Sequence, residues 1–395
     1  AHRFTQGLLL VGRISNRHAR GEFQQDFLMT SEVCIMNRLA VVLAADSAST
    51  VTYWSEKGNE DRYFKGTNKI FQLSTHHPVG LMIFDSADIL KVPWEIVVKD
   101  FRRNLGSKSF ASLDEYAKEF FSFLNSNTRL FPPSVQKDIF LQAARSASLR
   151  TLFRIQNVKE VEENKRRASA DAALSTRRAE VDAMPLTGGI DPDAPSEAIA
   201  TWRGDLIKMI EDWRASIGVT YPSDLVAFAE LGILEVFKRP GEFLGTTGLV
   251  FAGFGDHDVF PAMVAHNSHG IVAGRHVSVP SSQVAISHDL PAWLSAFAQT
   301  SMSDTFNLGL SEDIYASMMQ ALTDGLKDFA SALAQSSAVD LAQIPDLDGL
   351  INLTRSAITN SILDKAREQH AYPLRRVLAS LPVDEMADLA ETLYM

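Results

Sequence analysis

Cysteine is nearly absent from this chain: Cys34 is the single one in 395 residues. One thiol excludes an intrachain disulfide framework and suits a reducing compartment. Long apolar runs are missing as well. No stretch reaches the roughly 20 residues that span a bilayer, and the short run GLLLVG at 7–12 is closed by Arg13. The reading is a cytoplasmic protein with no membrane partner. Basic excess is also lacking, since 38 Lys and Arg stand against 48 Asp and Glu for a net charge of −10. Phosphate contacts need clustered cations, so nucleic acid is not an expected partner. No G-x-x-x-x-G-K-[ST] run occurs, so any ATP-driven step would need a separate ATPase.

What is present is a hydrophobic fraction of 46%, ordinary for a globular protein with a sizeable core. The first 28 residues are rich in Arg, Gln and His and have no sustained period; they read as an upstream read-through, a tag or a propeptide. From Thr30 the pattern is β. SEVCIM alternates, and LAVVLAAD is an apolar run of the kind buried on both faces. SASTVTYW continues as a strand, SEKGNEDRYFKGTN reads as a polar turn, and KIFQLS and VGLMIF are short strands. From Ser86 the period changes to helical, with Ile89, Val92, Ile96, Val97, Phe101 and Leu105 on one face. Asp85 or Ser86 is the expected cap, and Pro93 either kinks this helix or starts its regular part. A second helix is expected over Leu113–Leu124.

Residues 134–240 read as helical, with a solvated charged stretch at 159–183, a loop at 185–196 and a helix capped by Ser196. Strands return at 248–255, 260–267 and 270–279, with GDHDV and NSHG as hairpin turns. AWLSAFAQT is one more strand. The rest is helical, with Ile314, Met318, Leu322, Leu326, Phe329 and Leu333 along one amphipathic helix and Asp384–Leu393 as the last.

The start of the β region, MTSEVCIMNRLAVVLAAD, resembles the proteasome β-subunit type of N-terminal-nucleophile hydrolase, bacterial proteasome-like. In that family the mature chain begins with threonine, whose hydroxyl is the nucleophile and whose α-amine is the base. The resemblance places Thr30 as nucleophile and Asp46, sixteen positions on, at the family's VVLAAD-type strand end. Lys69 in NKIFQLS matches the lysine after the first hairpin, with Lys65 as a nearby competitor. Thr50 in DSAST sits where a strand lines the substrate cleft. The later LVFAGFGDHDVFPAMVAHNSHG resembles the family's VAGYD…PALY…D..G hairpin. The glycine-rich oxyanion turn is replaced by IFDSAD, so Phe84 supplies the backbone group with its side chain turned away. The glycine-rich loop beside the nucleophile has FAQTSMSDTF in its place, with Ser301 or Ser303 as stand-in. The family's last strand pair is not seen before the chain stops at ETLYM.

Elementary chemistry favours the same set. A threonine hydroxyl needs a neighbouring base, and an N-terminal amine can be that base because its pKa is roughly 7.7–8.0. A lysine beside it lowers both the amine and the hydroxyl pKa, and that lysine needs a carboxylate such as Asp46. The amine must be free. Met29 before a small residue is readily trimmed, which makes Met29 the simplest start codon.

The implied fold is α+β, an αββα four-layer sandwich with a large helical insertion. Its parts are a leader at 1–29, a first core half at 30–129, the insertion at 130–245, a second core half at 246–310 and C-terminal helices at 311–395. The implied activity is threonine-type hydrolysis of peptide or protein substrates by a homo-oligomer, ring-like in the family, without cofactor or metal. A catalytically silent assembly subunit and a non-peptidase amidase are the alternatives. Asp256, His257, Asp258, His266 and His269 are metal-ligating types, but they fall in expected turns, where polar residues are the default. Cys34, on a buried strand, reads as core.

Overall fold

The computed structural model describes residues 31–46, 48–55, 58–65, 68–156, 163–218, 223–298, 301–337 and 346–394. Strands come first: β1 (Ser31–Asn37), β2 (Val41–Ala45), β3 (Ala48–Ser55), β4 (Gly58–Lys65), β5 (Ile70–Gln72), β6 (Val79–Asp85), β7 (Asp88–Ile89) and β8 (Val92–Pro93). Helices α1 (Trp94–Leu105) and α2 (Leu113–Ser126) follow. A helical stretch comes next: α3 (Pro133–Gln156), α4 (Glu163–Ala183), α5 (Ala194–Ile217), α6 (Leu225–Lys238) and the single turn α7 (Pro240–Phe243). Strands return as β9 (Thr247–Gly253), β10 (Ala262–Val272), β11 (Arg275–Ala285) and β12 (Ala292–Ala298). The last helices are α8 (Ser301–Leu308), α9 (Glu312–Ser337), α10 (Leu347–Ala366), α11 (Tyr372–Leu378) and α12 (Val383–Tyr394), with a π-helical turn at Arg367–Ala371.

Two antiparallel sheets carry the core, one ordered β12-β1-β2 and the other β11-β10-β9-β6-β5. Cys34 and Met36 of β1 share an inner cluster with Met82, Val250, Ala252 and Met263 of the larger sheet. Gly80 permits the close approach, because a Cβ there would stand 3.2 Å from Leu43 Cδ1. The larger sheet's other face packs Leu81, Ile83, Leu249 and Phe251 against Trp94, Phe101, Tyr116 and Phe120 of α1 and α2. The smaller sheet's other face packs Val33, Ile35 and Leu294 against Leu378, Met386 and Ala390 of α11 and α12. β1 is therefore covered on both faces, which is why VCIM is apolar without a break. Each such buried side chain contributes roughly 1.5–3 kcal/mol.

Buried Asn37 ties the smaller sheet to its helices. Its Nδ2 donates to Leu378 O at 3.1 Å and Leu381 O at 2.9 Å, while its Oδ1 accepts from the N–H groups of Leu39 and Ala40. The helical stretch has a core of its own, in which Phe140, Leu206, Ile210, Phe228 and Phe237 meet Val272 and Val277 from the β10–β11 tip. Inside it Glu235, 1% exposed, lies between Arg177 (2.7 Å) and Arg239 (3.2 Å). Buried charges survive only when paired in this way.

Several local expectations are corrected. GNEDRYFK is a strand, not a turn: β4 pairs with β3 from Ala48↔Lys65 to Ser55↔Gly58. Its charged residues are compatible with a two-stranded ribbon, which has no obligation to bury both faces. The helix expected from Ser86 starts only at Trp94, with Pro93 ahead of it; residues 88–93 form the β7–β8 pair around Leu90 and Lys91, both at positive φ. Proline lacks the N–H that a first helical turn leaves unused, so the boundary falls there. NSHG is not a turn either. β10 runs through it with a bulge between Ser268 and Ile271, and the chain reverses at Ala273–Gly274, both at positive φ, the backbone that a two-residue hairpin favours. α5 begins at Ala194 behind Asp193, two residues before Ser196. Among the described residues no helix is long and apolar enough to cross a membrane.

Candidate active site

The smaller sheet places one charge where its neighbours are apolar. Glu32 is opposite Phe297 on β12 and Ala45 on β2. Directly opposed residues point to the same side of a sheet, and every second residue repeats that side. Glu32 therefore shares the inner face with Cys34 and Met36, and its side chain is fully buried.

The larger sheet supplies the counter-charge. Lys69 immediately precedes β5, and its carbonyl accepts from Ile83 N at 2.8 Å, which extends the β5–β6 ladder by one bond. Its side chain is 8% exposed, and Nζ donates to Glu32 Oε1 at 2.8 Å. Glu32 Oε2 is buried with no hydrogen-bond partner. Asp46, half-buried at the end of β2, and Asp85, exposed at the end of β6 with φ 66°, both act on the Glu32 carboxyl through their charge, and Lys69 acts on Asp85.

Desolvation pushes the Glu32 carboxyl up to about 7, against the hydrogen bond and charge of Lys69 and with the help of Asp85 and Asp46. Asp85 is also raised, by partial desolvation that the Lys69 charge offsets. Such an arrangement holds a proton that changes hands near neutral pH, and sites of this kind concentrate at functional positions.

Thr30 immediately precedes β1 in sequence and lies outside the described residues. Lys69 and Asp46 each act on Glu32, Lys69 by a hydrogen bond and Asp46 by its charge. Ser301 is the first residue of α8, reached from Ala298, which pairs with Ser31; its side chain lies outside the described residues, as does that of Ser303. Thr50 is on β3 opposite Tyr63, again with its side chain outside the description, and the competitor Lys65 ends β4 in the same position. Phe84 is placed in full. Its ring stacks on Phe297 at 5.4 Å and 26°, across Gly248, where a Cβ would meet the ring at about 2 Å. The ring thus packs between the sheets beside Glu32's strand neighbour. The N–H of Ser86, two residues after Phe84 in the IFDSAD turn, is engaged with Thr246 O at 3.3 Å.

Neither Glu32 nor Asp85 is expected in the site from the sequence alone. Glu32 nevertheless leaves a signal there, a charge at the first of three alternating positions whose other members, Cys34 and Met36, are apolar. Cys34 is core, its thiol pushed up to about 12 by burial.

The acidic and histidine residues near β10 do other work. Asp258 accepts from Gly255 N at 2.8 Å and from Leu113 N at 3.3 Å at the start of α2. His269 shares a hydrogen bond with Thr246 Oγ1 at 3.1 Å, and His266 packs on Phe121 at 4.9 Å. Among the described residues no group of three or more His, Cys, Asp or Glu is arranged to hold a metal ion. A cavity of ≈ 190 Å³ is lined by Ser86, Asp88, Leu90, Thr246 and His269 among others, and none of the four clustered charges lines it. Comparison with protein-family models, curated proteins and solved structures returns no match.

Proposed function

We propose that this chain is an amide hydrolase of the N-terminal-nucleophile, proteasome-like type, with Thr30 as nucleophile once Met29 is removed and peptides or proteins as substrates. The observation that carries this reading is the buried Lys69 ammonium, held 2.8 Å from Glu32 at the first residues of β1, two positions from Thr30 in sequence. A cation there lowers the pKa of a neighbouring hydroxyl and of a neighbouring amine, the two changes that this chemistry needs. The layering supports the αββα sandwich that the resemblance implies, since helices cover the outer face of each sheet and the inner faces pack together. Thr30 Oγ1 then attacks the substrate carbonyl while the α-amine takes the hydroxyl proton; that proton passes to the amide nitrogen as the C–N bond breaks and the amine leaves, and water then cleaves the ester to release the acid and restore the hydroxyl. Partners on this reading are other copies of the chain and a separate ATPase, and the compartment is the cytoplasm.

The silent assembly subunit is favoured by one observation: Ser86 N–H is spent on Thr246 O, which removes a donor from the turn that would stabilise an oxyanion. Expression from Met29, intact-mass measurement and treatment with a peptide epoxyketone, which reacts with both the hydroxyl and the free amine of an N-terminal threonine, separate the two. Retained Met29 or unlabelled Thr30 removes the enzyme reading. Turnover of small amides without peptides turns it into the amidase alternative.

A further inference from the structure

Resting on that reading, we propose that Glu32 is the positioning residue of the site: as a carboxylate it holds the Lys69 ammonium at the start of β1, and a proton taken up by Glu32 releases that hold and switches the Thr30 chemistry off. Elementary chemistry offers Asp46 as the carboxylate that Lys69 needs; the hydrogen bond from Lys69 Nζ goes to Glu32.

Two observations carry this. Glu32 Oε1 is the acceptor 2.8 Å from Nζ, and both side chains are withdrawn from solvent, at 0% and 8% exposure. A buried ammonium cannot exchange its acceptor for water, so its position follows that of the carboxylate. Second, Oε2 is buried without a partner. It is a vacant acceptor already inside the site and the natural place for an incoming proton. The groups that act on Glu32 are Lys69 ahead of β5, Asp46 at the end of β2 and Asp85 at the end of β6, while β12 contributes the uncharged Phe297. Among these carboxylates a proton goes to the one with no solvent at all, because Asp85 is exposed and Asp46 half-buried. The elevation of Glu32 to about 7 agrees with that order. Once protonated, Oε2–H is a donor and the group has lost the charge that fixed Nζ, so the ammonium is drawn toward Asp85, on which its charge already acts. The step is a proton transfer from solvent to Oε2 and back; no bond to substrate changes in it.

The test is the pH dependence of Thr30 labelling by a panel of peptide epoxyketones between pH 5.5 and 9, in wild type, Glu32→Gln, Glu32→Asp and Asp46→Asn. Labelling needs a neutral α-amine and, on this proposal, an ionised Glu32. The wild-type log rate therefore rises on the acid side with a limiting slope of two protons. E32Q should label at least tenfold more slowly at pH 8 and show a slope of one. E32D should recover part of the rate with the two-proton slope, and D46N should keep that slope. A one-proton slope in wild type, or an E32Q profile that matches wild type, overturns the proposal while leaving the hydrolase reading intact. The wild-type slope decides even where E32Q does not fold. Wild type that no probe labels at any pH overturns the hydrolase reading, and the gate falls with it.

Discussion

The Glu32 carboxyl ties stability to pH in a direction opposite to most acids. Its folded-state pKa of about 7 lies above the ordinary 4.5. A raised pKa means that the native state binds the proton more tightly than the unfolded chain. The stabilisation is fully present below pH 4.5 and is lost as pH rises through 7. At about 1.4 kcal/mol per unit, the 2.5-unit difference corresponds to roughly 3 kcal/mol between pH 4.5 and pH 8.5. Glu32→Gln replaces the carboxyl with a neutral group of the same shape that does not titrate. The variant should therefore gain relative to wild type as pH rises, with a melting-temperature difference that grows by several degrees between pH 5 and pH 8.5. Removing the ionised partner of Lys69 adds an offset of its own, so the change of the difference with pH is the quantity to read. Melts followed by circular dichroism at half-unit steps suffice. A difference that stays flat across that range refutes the desolvated carboxyl, and with it the proton switch.

His276 works in the other direction. Burial, with smaller contributions from His266 and His269, depresses its pKa from 6.5 to about 3. The unfolded chain binds the proton first, so stability falls as pH drops from about 6.5 toward 3, and His276→Gln should unfold in acid at a lower pH than wild type by tryptophan fluorescence. Glu235→Ala removes the carboxylate shared by Arg177 and Arg239 and leaves them Glu180 and Glu242 as partners; it should cost roughly 1–3 kcal/mol in urea unfolding. Gly248→Ala drives a methyl into the Phe84 ring and should destabilise by more than about 2 kcal/mol. In Phe84→Ala that added cost should largely vanish, since a double-mutant cycle isolates the clash.

The sheets were legible because their strands are short apolar runs with turns between them, and the pairing β12-β1-β2 uses segments that each read as a strand. Charged β4 was hidden by its composition, since residues in a two-stranded ribbon need not be apolar. The β10 bulge was hidden by Gly270, which reads as a turn although the reversal is three residues later, at Ala273–Gly274. In the site, Lys69 and Asp46 followed from the family resemblance. Glu32 did not, because a polar residue in an alternating strand normally faces solvent. Its inward direction depends on which face of β1 the second sheet covers, and β1 is covered on both. Pairing across 37 residues between the start of β1 and the residue before β5 is a tertiary fact that periodicity does not encode.

Most direct is the state of Thr30 in protein made from Met29. The expected result is an intact mass lacking that methionine and a single epoxyketone adduct on the Thr30 amine and hydroxyl, with no adduct in Thr30→Ala. Equal labelling of Thr30→Ala, or a free Thr30 that reacts with no probe, would contradict the assignment of Thr30 as nucleophile.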